Sequence, residues 1–165
     1  MAEVGRLTTE RVLSVLRSST GLAYSVAALA QTQRIQIQPL AAGQIIPLNA
    51  AVDLIEKADI ARYPSVYVYC EKFTNQLKEK FRTFSGKAQM AIEARVTSDR
   101  LDELDRQLQL YTGAVAQMLE RQRGDWGNGM YYAGGYEIAF AGAKRGGRSY
   151  VQTAKATFEV EISIS

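Results

Sequence analysis

The sequence predicts an α+β fold: a four-stranded, mainly antiparallel sheet, one long helix packed across one face of it, and short helices at the N-terminus. Two patterns lead to this prediction. Residues 98–122 repeat apolar side chains at spacings of three and four, and residues 89–96 and 153–164 alternate apolar with polar side chains. A helix laid across the apolar face of such a sheet buries both patterns at once.

The helix predicted over residues 98–122 has one apolar face. The positions on that face are Leu101, Leu104, Leu108, Tyr111, Val115, Met118 and Leu119. Ser98 is a favourable N-cap residue, and Asp99 and Asp102 follow it in the first turn. Arg121 and Arg123 lie at the other end, so the charges at both ends agree with the helix dipole.

Four strands are predicted from the alternation of side chains. The first covers residues 65–70, the second residues 89–96, the third runs from Tyr136 through Ile138 to Phe140, and the last covers residues 153–164. Residues 124–129 are predicted to form a tight turn region, and residues 142–148 a glycine-rich hairpin tip. The order of elements therefore places the long helix between the second and third strands.

The N-terminal third is predicted to be mostly helical. Thr8 or Thr9 is the expected N-cap of a first short helix, and a second one follows a break at residues 18–21 and ends near Gln31. The alternative is that this Ala-rich second segment extends the first helix. Residues 31–47 have no sustained period, and we predict an extended or mobile connection of the kind that often serves as a binding arm. Residues 49–60 are expected to add another helical turn or two.

Length and composition favour one globular domain over residues 1–165. Residues 1–60 are predicted to supply the N-terminal helices and the extended arm, and residues 61–165 the α+β core. The chain is 47% apolar and has a net charge of +3, which is too small a charge to indicate general nucleic-acid binding. No stretch approaches the roughly 20 apolar residues of a membrane span, so we expect no membrane partner.

The residue inventory removes several kinds of enzyme chemistry. The chain has no histidine and a single cysteine, Cys70, which excludes a histidine-based triad, a Cys/His zinc site and an intrachain disulfide. Cys70 is interpreted as a small buried apolar residue rather than a reactive thiol. We expect no catalytic residue, no metal site and no cofactor, and we predict that the protein is not an enzyme and folds in a reducing cytoplasm.

Basic and aromatic residues interleave in the polar connection that contains residues 78–87. The residues concerned are Lys80, Phe81, Arg82, Phe84 and Lys87. Stacking and phosphate neutralisation could cooperate there on nucleic acid. The alternative, which we favour, is a solvated loop whose phenylalanines anchor it to the body of the protein or to a neighbouring subunit.

The glycine-rich tip around Lys144, Arg145 and Arg148 resembles a phosphate cradle. It lacks the spacing of a Walker motif, and it leads into a strand rather than a helix N-terminus. A flexible docking hairpin is therefore the favoured interpretation. The carboxylates at residues 99–105 could suggest acid-base or metal chemistry, but their position in the opening turns of a helix explains them electrostatically.

Six short segments, in order, carry a family resemblance. They are Tyr63-Pro64-Ser65-Val66-Tyr67-Val68-Tyr69-Cys70, Glu79-Lys80-Phe81-Arg82, Phe84-Ser85-Gly86, Ser98-Asp99-Arg100-Leu101, Arg123-Gly124-Asp125-Trp126 and Gly134-Gly135-Tyr136-Glu137. Over residues 60–165 the chain resembles the tail terminator or tail completion proteins of tailed bacteriophages. None of these segments has a catalytic meaning.

The resemblance implies a structural virion protein at the head-proximal end of the tail, made in the host cytoplasm. It implies a homohexameric ring on the last tail-tube ring that stops tube growth and presents a surface to a neck or head-completion protein. DNA would be at most a transient partner in the ring lumen. The alternatives are another neck or tail component, such as a head completion, stopper or tail-tube subunit, and a nucleic-acid-binding module.

A ring interface needs exposed apolar and aromatic surface, and the chain has more aromatic residues than one helix on one sheet can cover. The predicted interface residues are Lys80, Phe81, Arg82, Phe84, Lys87, Trp126, Tyr131, Tyr132, Lys144, Arg145 and Arg148.

Overall fold

A computed structural model describes residues 3–58 and 62–165 of the chain. The helices are α1 (Val4–Arg17), α2 (Leu22–Gln33), α3 (Val52–Lys57) and α4 (Leu101–Arg121). The strands are β1 (Ile45–Ile46), β2 (Ser65–Asn75), β3 (Phe84–Ser98), β4 (Gly124–Gly127), β5 (Met130–Tyr132), β6 (Tyr136–Phe140), β7 (Lys144–Gly146) and β8 (Ser149–Ile164). The structure is therefore mixed α+β, as predicted.

Within the described residues the sheet has eight strands rather than the predicted four. The order β1-β2-β3-β8-β5-β4 is joined by β6 and β7, which both pair with β8. The four predicted strands correspond to β2, β3, β6 and β8, and their mutual pairing is antiparallel. The additional strands β1, β4, β5 and β7 have only two to four residues each, which is too short for alternation to reveal them.

One face of the sheet carries α1, α2 and α4. On this helix-covered face α1 lies on β2 and β3, α4 lies on β3 and β8, and α2 packs against α4. The side chains that point to the helices are Ala88, Met90, Ile92, Ala94 and Val96 of β3 and Ala154, Ala156, Phe158, Val160 and Ile162 of β8, and all are buried. The alternation in both strands therefore predicted the core correctly.

The predicted N-cap of the long helix lies two residues before the observed one. Ser98 is the last residue of β3 and pairs with Tyr150, so the N-cap is Arg100 and α4 begins at Leu101. The side chain of Leu101 is 55% exposed, and it does not belong to the buried face that begins with Leu104. Strand pairing with β8 takes precedence over the local capping preference of Ser98.

The first helix also begins earlier than predicted, at Val4. Thr8 and Thr9 are not its N-cap, since their hydroxyls donate to the carbonyl oxygens of Val4 and Gly5 at 2.7 Å inside the helix. The break at residues 18–21 and the second helix are present as predicted, with α2 extending to Gln33.

The connection after α2 is packed rather than free. Leu40 and Ile45 are buried, and the guanidinium of Arg17 donates to the carbonyl oxygen of Ile45 at 3.2 Å. Residues 35–41 have no regular secondary structure, as predicted for an extended connection, but apolar side chains of the connection reach the core. Its role as a binding arm stays a prediction. The predicted turns at residues 49–60 contain α3; Ile60 and the 60/61 boundary lie outside the described residues.

No single helix in the described ranges is long and apolar enough to cross a membrane. The pair α1 and α2 passes on length and composition together, but it is bent by 41° at its break. Val12 and Leu16 of α1 and Leu22 and Val26 of α2 are buried in the core.

Candidate assembly surfaces

The two basic segments singled out in the sequence lie at opposite ends of the long antiparallel ladder between β3 and β8. Phe84 pairs with Ile164 at one end, and Ser98 pairs with Tyr150 at the other. Fourteen steps of about 3.4 Å separate these ends by roughly 48 Å. We call the first the loop end, because it carries the β2–β3 loop (residues 76–83), and the second the hairpin end, because it carries the turn between β7 and β8.

The β2–β3 loop is held by side-chain hydrogen bonds. The Asn75 side-chain oxygen accepts from the backbone N–H groups of Leu77 at 3.2 Å and Ser85 at 3.0 Å, and its amide nitrogen donates to the Thr83 carbonyl at 3.0 Å. The Ser85 hydroxyl accepts from the N–H of Glu79 at 3.0 Å. The loop therefore has one defined shape although its residues are exposed.

Phe81 is at the most exposed point of this loop. Its side chain is 98% exposed, and Lys80 and Arg82 flank it with their charged groups exposed. Phe81 and Leu77 adopt positive φ angles of 66° and 49°, a conformation that residues with a side chain rarely adopt. Strained, exposed apolar residues on a hydrogen-bonded loop are typical of a surface that binds a protein partner.

Three predicted interface aromatics are buried in the core instead. Phe84 and Tyr132 are fully buried, and Trp126 is nearly so. The Tyr132 ring lies 5.6 Å from Trp126 and 5.5 Å from Phe158, centroid to centroid. The prediction of these three residues as interface residues is therefore wrong, because strands β3, β4 and β5 turn them towards the helices.

The alternation of β5 has the opposite effect on Tyr131, whose ring is half-exposed beside the β2–β3 loop. Tyr131, Lys78 and Ser163 line the same cleft of about 220 Å³. The Ser163 hydroxyl donates to Glu79 Oε2 at 2.8 Å. The β4–β5 turn and the C-terminal strand thus join the β2–β3 loop in one continuous surface at the loop end.

Lys87 lies in strand β3 and not in the loop. Its Nζ is 3.1 Å from Glu159 Oε1 on β8, on the open face of the sheet opposite the helices. This cross-strand ion pair accounts for Lys87 within the monomer.

The hairpin end carries three exposed basic residues. Lys144 and Arg145 lie on β7, and Arg148 follows in the turn. The Arg145 guanidinium carbon lies 5.7 Å from the centroid of the Tyr150 ring. The structure therefore brings Lys144, Arg145 and Arg148 together at a hairpin tip, as predicted, and separates them from Lys80 and Arg82 by the length of the ladder.

The carboxylates at the start of α4 are exposed or paired with arginine. The Arg100 guanidinium donates to Asp102 at 2.8 Å, and this hydrogen bond lowers the pKa of the Asp102 carboxyl. Glu103 lies 3.5 Å from Arg106. Within residues 3–58 and 62–165, no group of three Asp, Glu or Cys side chains is placed to hold a metal ion.

Cys70 is half-buried near the N-terminus of α1. Burial raises the pKa of its thiol. The neutral form is therefore favoured, which agrees with an unreactive side chain.

Three aromatic residues at the two open edges of the sheet could not be identified as surface residues from the sequence. Phe73 on β2 is 46% exposed, and Tyr136 and Phe140 on β6 are 37% and 45% exposed. Alternation predicts the face on which a side chain lies, but it does not show which strand is at an edge. The only feature of the sequence that pointed to an edge was the lack of lysine and proline in residues 136–140.

Among known proteins, the chain has a distant likeness to solved structures. No protein-family model matches the chain, and no curated protein matches it. Among solved structures, the chain is similar to a chain described as "Virion of native gene transfer agent (GTA) particle", with 12% sequence identity and a TM-score of 0.43 over 92% of this chain and 91% of that chain.

Proposed function

We propose that this chain is a structural virion protein and, more specifically, a tail terminator. It would close the tail tube as a homohexameric ring, stop tube polymerisation and form the surface that joins the tail to the neck. The observation that carries the proposal is the position of two exposed basic loops at opposite ends of the β3–β8 ladder.

A protein that ends a tube has to bind the tube with one end and a different partner with the other. The loop end offers Phe81, Lys80 and Arg82 on a hydrogen-bonded loop, and the hairpin end offers Lys144 and Arg145 on a tip outside the core. Neither set contributes a buried side chain, so both are available to partners without a cost in folding. The family resemblance of residues 60–165 supports the same role.

The proposed partners are further copies of the chain, the tail-tube protein and a neck or head-completion protein, with DNA only in transit through the ring. The proposed location is the head-proximal end of the tail. We propose no catalytic role. A second candidate function, nucleic-acid binding, is favoured by the clustering of Lys144, Arg145 and Arg148, because three adjacent positive charges suit a phosphate backbone.

The test replaces Lys144, Arg145 and Arg148 together with serine. We expect an unchanged melting temperature, weaker attachment to tail tubes or to the neck, and little retention of DNA by the wild type. DNA retention and co-sedimentation with tail tubes are measured on the same preparations over a range of salt concentrations. Salt-sensitive DNA binding that the variant loses, with unchanged tube binding, would replace the structural proposal by nucleic-acid binding.

A further inference from the structure

Strand β6 is an edge strand with unpaired backbone groups. The N–H of Ala141 donates to the carbonyl of Thr153 on β8 at 2.9 Å, which fixes the phase of the pairing. Because alternate residues of an antiparallel strand face its neighbour, Glu137 and Ala139 pair with β8, and the N–H and C=O groups of Tyr136 and Ile138 point away from it. Among the described residues, no backbone group forms a hydrogen bond with these outward-pointing groups of Tyr136 and Ile138.

This edge lacks the usual protection against pairing. Proteins often shield an edge strand with charged side chains, above all lysine, or with proline or a bulge. Strand β6 has no lysine, no proline and no bulge, and its one charged residue is Glu137. Tyr136 and Phe140 are exposed on the helix-covered side, and the Tyr136 hydroxyl donates to Glu120 Oε1 of α4 at 2.8 Å. The edge is therefore apolar, unpaired and held in place by α4.

The opposite margin of the same sheet is open as well. Strand β1 pairs with β2 only at Val66 and Tyr67. The N–H of Gln76 donates to the carbonyl of Ser85 at 2.9 Å, so the alternation directs Lys72 and Thr74 towards β3 and the backbone groups of Phe73 away from it. The Phe73 ring lies 6.0 Å from Phe84, which places it on the helix-covered face with Tyr136.

The two open edges match in direction and in level. Along the order β2, β3, β8 and β6 each pairing is antiparallel, so β6 runs antiparallel to β2. A rotation about an axis along the strands keeps these directions and brings β6 of one copy beside β2 of the next. Tyr136 lies at the level of Met90 and Phe73 at the level of Ala88, an offset of roughly 7 Å along the strand.

We infer that β6 of one copy pairs in antiparallel fashion with β2 of the next copy, with Tyr136 opposite Phe73 and Glu137 opposite Lys72. The first pair joins two exposed aromatic rings on the helix-covered face, and the second joins opposite charges on the open face. Within the described part of the chain, neither Lys72 nor Glu137 belongs to an ion pair.

This contact is head-to-tail, because the two partners use different surfaces. A head-to-tail contact generates a closed ring when the rotation between copies closes. The inference rests on the proposed function and deepens it, since it names the strands that join neighbouring subunits of the ring.

Disulfide trapping tests the strand pairing. Phe73→Cys and Tyr136→Cys are made separately, each with Cys70→Ser, and a 1:1 mixture is oxidised in the presence of tail tubes. Opposed residues that exchange hydrogen bonds have Cα atoms about 5.5 Å apart, which is within disulfide range. We expect a cross-linked dimer in the mixture and none in either variant alone. A dimer of Tyr136→Cys with itself would overturn the inference in favour of symmetric pairing of two β6 edges.

Charge exchange provides a test that needs no new cysteine. Lys72→Glu or Glu137→Lys alone places like charges opposite each other, and we expect a loss of ring-sized particles. A 1:1 mixture of the two variants alternates opposite charges around an even-numbered ring, so the particles should return. Asp105→Lys, which makes the same charge change as Glu137→Lys on the exposed surface of α4, should leave particle formation unchanged.

The outcomes separate this inference from the proposed function. Ring-sized particles on tail tubes without the mixed disulfide, and without an effect of charge reversal, would overturn the strand pairing and leave the terminator proposal standing. An absence of particles in the wild type would overturn both.

Discussion

Among single residues, Phe81 and Phe84 lie three positions apart in the sequence but differ completely in burial. Phe84 begins β3, pairs with Ile164 and is fully buried, whereas Phe81 is 98% exposed in the loop before it. The Asn75 hydrogen bonds to Leu77 and Ser85 fix the loop between them. Burial assigns Phe84 to stability, and exposure supports the proposed role of Phe81 in binding.

This assignment predicts opposite effects of alanine substitution. Phe84→Ala should lower the free energy of unfolding by about 3–5 kcal/mol, because it leaves a cavity in the core. Phe81→Ala should leave that free energy within about 0.5 kcal/mol of the wild type and weaken attachment to a partner at the loop end. Urea unfolding and co-sedimentation with tail tubes measure the two effects. Equal stability of the two variants would contradict the assignment.

Buried tyrosines predict a loss of stability at alkaline pH. Burial raises the pKa of Tyr132 to about 12, above the value of about 10 for an unfolded tyrosine. A group whose pKa is raised on folding adds its full contribution to the free energy of unfolding below its unfolded pKa. For Tyr132 this contribution falls as the pH rises from about 10 towards 12. The free energy of unfolding should therefore decline above about pH 10.

Tyr132→Phe removes this ionisation and should make the alkaline decline less steep. The variant also loses the hydrogen bond from the hydroxyl to the Gly135 carbonyl, at 3.1 Å in the wild type, so its stability at neutral pH serves as the reference. Urea unfolding at several pH values between 8 and 11.5 measures the slope. An unchanged slope would show that Tyr132 ionises equally in both states.

At the scale of elements, α4 has one face in the core and one in solvent. Leu104 and Leu108 are fully buried, and Leu101 on the first turn is 55% exposed. The first turn of α4 also carries Asp102 and Glu103, whose negative charges are favourable at the positive end of the helix dipole. Packing against β3 and β8 therefore fixes the helix from Leu104 onwards.

Leu104→Asp or Leu108→Asp should prevent folding, because each places an unpaired charge in the core at a cost comparable to the total stability. Leu101→Asp is the matched control in the same helix, and it should fold with a melting temperature close to that of the wild type. Soluble expression and circular dichroism decide the matter. Folded Leu104→Asp protein would show that this face is not core.

The long, periodic elements of this fold could be predicted from the sequence, and the short ones could not. Over twelve residues of β8 the alternation identified the buried side chains, but two or three residues of β1 or β7 contain no measurable period. Ser98 misled the prediction of the helix start because strand pairing with Tyr150, a contact distant in sequence, decided its conformation. Local patterns carry no information about such partners.

The candidate surfaces divide in the same way. The basic tip with Lys144 and Arg148 could be predicted, because charges next to glycine favour an exposed hairpin. Trp126 and Tyr132 were assigned to the surface because the sequence did not reveal strands β4 and β5, which turn them inwards. Phe73 and Tyr136 were missed because the position of a strand at the edge of a sheet depends on the complete topology.

At the scale of the whole molecule, the long ladder of β3 and β8 separates two loop surfaces, and the sheet has open edges at both sides. The proposed contacts along the tail axis and around the ring therefore use different residues. Phe81 and Lys144 belong to the two ends, and Phe73 and Tyr136 to the two edges. Variants in one set should leave the other contacts intact.

This separation predicts that variants at the loop end and variants at the hairpin end lose attachment to different partners. Lys80→Ser with Arg82→Ser should weaken one junction, either with the tube or with the neck, and the triple serine variant at the hairpin end should weaken the other. Both should keep the wild-type melting temperature, since all five side chains are exposed. Co-sedimentation with tail tubes and, separately, with tail-free heads assigns the junctions. Failure of both variants on the same partner alone would contradict opposed docking ends.

If copies of this chain form a ring on the end of a tail tube, the number of copies per tube end will show it. The measurement is the stoichiometry of the protein on purified tail tubes, obtained by native mass measurement and by imaging of the tube ends. We predict a hexamer at one end of each tube and no copies along its length. Single copies, or copies bound along the wall of the tube, would contradict it.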